Sequence, residues 1–166
     1  MLETVVFNSK HYPSFQTNGH AARFIMPFAL EVCKGEGVDV GCNRIEWKFP
    51  GAHPVDPQIN QYHATDFPYR NLDYVFSSHC LEHIPDWVGA IEYWTDSLKS
   101  GGILFLYLPD YSQEYWRPWN NRKHFHSFTP NILRDYISST GKFVENKTFV
   151  SGIDLYNAFA VIAEKI

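Results

Sequence analysis

Residues 103–108 read Ile-Leu-Phe-Leu-Tyr-Leu, an unbroken apolar run. A strand with one wet face alternates polar and apolar residues, whereas a run like this suits a strand covered on both faces, as in a parallel sheet flanked by helices. The residues before it agree. A helical pattern covers about Asp86 to Leu98, and Lys99-Ser100-Gly101-Gly102 ends it with a basic last turn and glycines that tolerate a left-handed backbone. Upstream lies Leu72-Asp73-Tyr74-Val75-Phe76, the strongest strand signal in the chain, followed by Ser77-Ser78. Strand, helix and buried strand in succession form a crossover unit, which sets the two strands parallel.

The remaining segments extend this unit into an open α/β sheet. From Ala21 to Lys34 the positions Ala22, Phe24, Ile25, Phe28, Ala29 and Val32 follow a helical period, with Pro27 predicted to kink or interrupt it. A short strand, Val38-Asp39-Val40, ends on Gly41, and Ala52 to Asp56 reads as a second, weakened by Pro54. Thr129 as N-cap and Pro130 as first helical residue open a helix that ends near Gly141. Phe143–Val150 and Leu155–Ala163, parted by Ser151-Gly152, predict a C-terminal antiparallel hairpin. The 166 residues suit one domain, with 1–34 as an N-terminal cover segment and helix and 35–166 as the core.

Charge and cysteine content exclude several classes. A net charge of -4 without a basic stripe argues against bulk nucleic-acid binding. Cys33, Cys42 and Cys80 form no CxxC pair, which points to a reducing compartment. Met1 to Thr4 lacks the pattern of a signal peptide and no apolar stretch approaches a membrane span, so a cytoplasmic location without membrane attachment is expected.

Several segments carry chemistry. Gly37-Val38-Asp39-Val40-Gly41-Cys42-Asn43 is a buried strand running into a glycine turn, at the strand end where open α/β sheets bind ligands. Asp56, at the end of the second strand, is placed like the acidic residues that pair with ribose hydroxyls. Alone, each reads equally well as an ordinary turn residue. Downstream come Tyr62-His63-Ala64-Thr65-Asp66-Phe67-Pro68-Tyr69, then Ser77-Ser78-His79-Cys80-Leu81-Glu82-His83-Ile84-Pro85-Asp86, then Leu98 to Leu104, and finally His126 to Leu133.

In this order the segments resemble class I S-adenosylmethionine-dependent methyltransferases, and the type 11 group in a compact form in particular; the match is nearly letter for letter at Ser78–Asp86. The resemblance implies a Rossmann-like methyltransferase fold with a mostly parallel seven-stranded sheet. It implies S-adenosylmethionine as cofactor, held by Asp39, Gly41, Cys42, Asn43, Asp56, His63, Ala64, Ser77 and Ser78. It also implies methyl transfer, at oxygen or nitrogen, and the aromatic loop after Leu108 together with the missing basic stripe points to a small-molecule or glycan acceptor. The chain departs from the family at three places: Asn43 replaces a loop glycine, His63 replaces an acidic residue that faces adenine, and the helix after the loop must fit between Asn43 and Pro50. Asn tolerates the left-handed region, so the turn is expected to survive. The same departures would suit a catalytically idle binding protein built on this fold.

His79-Cys80-Leu81-Glu82-His83 also satisfies the H-x-x-E-H pattern of inverted zinc peptidases, with His124 or His126 available as a third ligand. That reading, with Glu82 as base, needs His79 and His83 on one helix, which the preceding buried strand and Pro85 disfavour; a zinc hydrolase through His79, Glu82 and His83 stands as a remote alternative, and no metal is assigned. The aromatic stretch from Pro109 to His126 is a long loop at the ligand edge, with Tyr111, Trp116 and His124 as substrate candidates. Candidate bases are His79, His124 and His126, among which the sequence does not choose. Without a separate substrate domain, a homodimer could complete the site.

Overall fold

The computed structural model describes residues 3–166. The chain opens with a hairpin, β1 (Thr4–Phe7) and β2 (Lys10–Pro13), then a single helical turn α1 (Ser14–Thr17) and helix α2 (Ala22–Val32). Next come β3 (Gly37–Val40), β4 (His53–Val55), β5 (Leu72–Ser78), α3 (Trp87–Ser97), β6 (Leu98–Pro109), α4 (Pro130–Ser139), β7 (Phe143–Val150) and β8 (Ala158–Lys165). The main sheet has six strands in the order β4-β3-β5-β6-β8-β7. β4, β3, β5 and β6 pair in parallel, and β8 is antiparallel to both β6 and β7.

The apolar run behaves as its sequence implies. Leu104, Leu106 and Leu108 of β6 point to one face, where they meet Ala90, Ile91 and Trp94 of α3 and Leu133 and Ile137 of α4. Phe105 and Tyr107 point to the other face with Tyr74 and Phe76 of β5, against Ala29 of α2, Cys33 just after it and the loop residue Phe49. Helices thus cover both faces, and burying this apolar area is the main source of stability. Trp94 is fully buried and donates its indole N–H to the Ala64 carbonyl at 2.7 Å, which ties the loop after β4 to α3.

Local signals set the helix ends. Asp86 caps α3 by accepting the Gly89 N–H at 2.9 Å, and Thr129 caps α4 through Ile132. Helix α2 runs through Pro27, which has no N–H to give to the preceding turn.

Two expectations need correction. The main sheet has six strands, not seven. Between β4 and β5 the chain forms no strand, only an isolated bridge between His63 and Asp66. That segment carries Pro57 and Pro68, a positive φ at Asn71 and no apolar run, so its buried ring, Phe67, enters the core from a loop rather than from a strand. The last strand begins at Ala158 rather than Leu155. Asp154 accepts the N–H groups of Tyr156 and Ala158 at 2.7 and 3.0 Å, holding residues 154–157 in a turn that leaves Leu155 exposed. No helix among the described residues is long and apolar enough to cross a membrane.

Candidate active site

The carboxyl ends of β3, β4, β5 and β6 share one edge of the sheet, and two clefts lie along it. The first is lined by Gly19, His20, Ala22, Asp39, Gly41, Cys42, Trp47 and Ser78. Gly41 has φ +82° and gives its N–H to the Val55 carbonyl at 2.9 Å; a Cβ there would overlap the Cys80 side chain. Asn43 sits in the left-handed region with φ +63°, so the altered loop keeps its turn. The helix that had to fit between Asn43 and Pro50 is a single helical turn, Ile45–Trp47. That turn projects Trp47 onto His20, the rings stacked at 4.6 Å, with the Arg44 guanidinium over the indole.

Asp39 stands on the floor of this cleft. One of its oxygens accepts the Phe49 N–H at 2.7 Å, and burial raises its pKa to about 7 against that bond and Lys48, both of which favour the charged form. Ser78 Oγ is buried without a hydrogen-bond partner. Ser77 is committed to structure, its hydroxyl donating to the Val40 carbonyl at 3.0 Å.

Asp56, His63 and Ala64 do not line the cleft. Asp56 is buried at the end of β4, and its oxygens accept the N–H groups of Asn43 at 2.7 Å and Gln58 at 2.8 Å. His63 is exposed in the strandless loop, and the Ala64 carbonyl is occupied by Trp94. Conversely, His20 and Trp47 line the cleft without having been singled out in the sequence. The only local hint was the aromatic, polar character of the N-terminal segment that packs over the sheet edge.

The second cleft is lined by Pro109, Asp110, Gln113, Trp116, Arg117, His124, His126 and Ser127. The loop after β6 therefore gathers Trp116 and His124, whose rings stack at 5.1 Å, and leaves Tyr111 outside under the Arg117 guanidinium. The N-terminal hairpin packs on this loop. Phe7 and Tyr12 meet Tyr115 at 5.5 and 5.9 Å, Lys10 pairs with Glu114 at 2.6 Å, and Gln113 donates to Gln16 at 2.9 Å. Asp110 Oδ2, Gln113 Oε1 and Trp116 Nε1 are buried without partners, as are His79 Nε2 and both Glu82 oxygens. Buried polar atoms are normally paired, so this concentration marks the edge as a place built to meet something else.

The H-x-x-E-H segment follows Ser78 of the first cleft and packs against His124 of the second. It forms a three-residue helical turn, Leu81–His83, and His79 has φ +50°. His79 and His83 are thus not presented on one helix, and the zinc-peptidase arrangement is not formed. What comes together instead is Glu82, His83 and His124, whose ligand-type atoms all lie within 4.8 Å of one another. Burial pushes His79 and His124 down to about 3, helped by neighbouring histidines, and pushes Glu82 up to about 8. The third base candidate, His126, has its Nε2 committed to the Pro85 carbonyl at 2.9 Å. Burial likewise pushes the Cys42 thiol up to about 12 and that of Cys80 higher still, so neither is a ready nucleophile.

A doubly covered, mostly parallel sheet with a glycine turn and clefts at its carboxyl edge defines an α/β protein of the Rossmann-like class. Within that class the chain belongs to the methyltransferase domain family, whose model matches residues 18–141. No curated protein sequence matches the chain. Among solved structures it is similar to a SAM-dependent methyltransferase from Thermotoga maritima, at 15% identity and TM-score 0.63 over 92% of this chain and 97% of that one. It is also similar to a chain of the complex between the Haloferax volcanii Trm112 methyltransferase activator and a methyltransferase, at 12% identity and TM-score 0.65 over 92% and 94%. A third is the N-methyltransferase NodS from Bradyrhizobium japonicum in complex with S-adenosyl-l-homocysteine, at 12% identity and TM-score 0.57 over 91% and 87%. At these identities the likeness is one of fold.

Proposed function

We infer that this protein transfers a methyl group from S-adenosylmethionine to an oxygen or nitrogen of a small-molecule or glycan acceptor. The observation that carries the reading is the first cleft itself. Asp39 keeps one carboxylate oxygen out of internal hydrogen bonds, beside the unpartnered Ser78 hydroxyl and above the left-handed Gly41 turn. An anionic group with a free hydroxyl and close backbone approach is complementary to a ligand that carries a sulfonium and an ammonium. The stacked His20–Trp47 pair offers an aromatic wall for a base or ribose. Asp56 supports the site from behind through Asn43 rather than from within the cleft.

The cofactor supplies the activated methyl group. This chain's part is to hold acceptor and cofactor in line, which lowers the entropic share of the barrier, and to exclude water from the junction. The second cleft, with the Trp116–His124 stack and the free acceptor atoms of Asp110 and Gln113, suits the hydroxyl and ring faces of a sugar-like or heterocyclic acceptor. Coverage of this loop by the N-terminal hairpin supports a site completed within one chain, residues 1–166 acting as a single domain without help from a second copy. The cysteine pattern, without a CxxC pair, favours a reducing, cytoplasmic setting.

Calorimetric titration with S-adenosylmethionine and S-adenosylhomocysteine tests the cofactor half, and a methyl-release screen across acceptor classes tests the other. Failure to bind either ligand at about 1 mM, a weak-binding limit of roughly 4 kcal/mol, would leave the idle-fold reading in its place.

A further inference from the structure

We propose that Glu82, His83 and His124 form a binding site for a divalent transition-metal ion, of the zinc or manganese class, at the inner end of the acceptor cleft. One carboxylate and two imidazoles are a donor set suited to such ions, and three protein ligands leave room on the ion for an oxygen from outside. The three ligand-type atoms already lie within 4.8 Å of one another. Two donors on one tetrahedral ion stand roughly 3.4 Å apart, so only a small inward movement completes the set.

Three independent features point the same way. Glu82 is fully buried, and neither of its oxygens has a hydrogen-bond partner. Such a group is costly unless it meets a cation or a donor. His83 gives its Nδ1–H to the Lys123 carbonyl at 2.8 Å, which leaves Nε2 as the lone-pair nitrogen. A backbone carbonyl on the far nitrogen is the usual way a ligating histidine is oriented. The loop is also clamped at the right place. Phe125 and His126 both give their N–H groups to the Glu82 carbonyl, at 2.8 and 3.2 Å, which holds His124 across from His83 with ring centroids 4.4 Å apart. His124 lines the acceptor cleft, so an ion held here could bind an acceptor hydroxyl and favour its ionisation. That last role rests on the methyl-transfer reading; the ion site itself does not.

The test uses the full chain, stripped of metal by a chelator and then titrated with zinc, manganese or cobalt ions by calorimetry, with cobalt absorption reporting imidazole ligation. Binding of one equivalent is expected, with a rise in melting temperature, and Glu82→Gln and His124→Ala should each weaken it at least about 10-fold. His53→Ala, away from the cluster on β4, should leave it unchanged. Circular dichroism on each variant separates lost ligation from lost folding. No binding by folded wild-type protein, or binding that survives both variants, overturns the site. S-adenosylhomocysteine titrated into the same metal-free sample keeps the two readings apart. Metal without that ligand would retain the ion site and sink methyl transfer; the ligand without metal would do the reverse.

Discussion

The Asp56 carboxylate accepts the backbone N–H of Asn43 at 2.7 Å, tying the end of β4 to the glycine turn that follows β3. With Gln58 on its other oxygen, this buried acid acts first as a brace for the turn. Asp56→Ala is expected to lower stability by about 1–3 kcal/mol and to weaken S-adenosylhomocysteine binding in step. Denaturant unfolding beside calorimetry checks this. Weaker binding at unchanged stability would instead make Asp56 a direct contact to the ligand's ribose.

Gly41 combines a φ of +82° with contact against Cys80. Gly41→Ala should cost about 1–2 kcal/mol for the backbone alone, and more from overlap with the Cys80 side chain. Adding Cys80→Gly should recover only the second part. A melting temperature that Gly41→Ala leaves in place would show that the turn is not held as described.

If Asp39 meets the cofactor as proposed, binding is expected to depend on pH. Burial lifts its pKa to about 7, and a cationic ligand binds the ionised form. At pH 6 only about a tenth of the groups are ionised and at pH 8 about nine-tenths. Affinity for S-adenosylmethionine should therefore rise by up to roughly 10-fold between those values. Asp39→Asn should flatten the profile at the weaker end; a slope that survives the substitution would assign it to another group.

Trp116 lines the second cleft, proposed to take the acceptor, where it stacks on His124, and it is not among the residues lining the first. Trp116→Ala is expected to reduce kcat/KM for methyl transfer while S-adenosylhomocysteine affinity stays within about threefold. Equal loss of both would place this loop over the cofactor.

Much of the sheet edge was legible in the sequence because its signals are local. The run at 103–108 implied cover on both faces, and α3 and α4 sit on one with α2 on the other. The Thr129-Pro130 cap opens α4 as expected, whereas Lys99 to Gly102 form no last helical turn: α3 ends at Ser97 without a basic residue in its last turn, and these four residues belong to β6. The expected left-handed Asn43 is present because its short side chain tolerates that region whatever surrounds it. The cofactor candidates divided on orientation: Asp39, Gly41, Cys42 and Ser78 line the first cleft, while Asp56 turns to backbone amides and His63 to solvent.

What the sequence determined by itself is the crossover unit from Leu72 to Leu108, the glycine turn and the helix caps. These depend on periodicity and on backbone preferences within a few residues. Only the tertiary structure decided the strand count, the partner of Asp56 and the meeting of Glu82, His83 and His124. A strand at the sheet edge needs a run of residues free to pair, and 57–71, broken by Pro57 and Pro68, bury Phe67 from a loop instead. A side chain's partner is set by whichever backbone arrives beside it. The approach of His124 depends on two N–H groups of a distant loop finding the Glu82 carbonyl, a long-range pairing that no local pattern encodes.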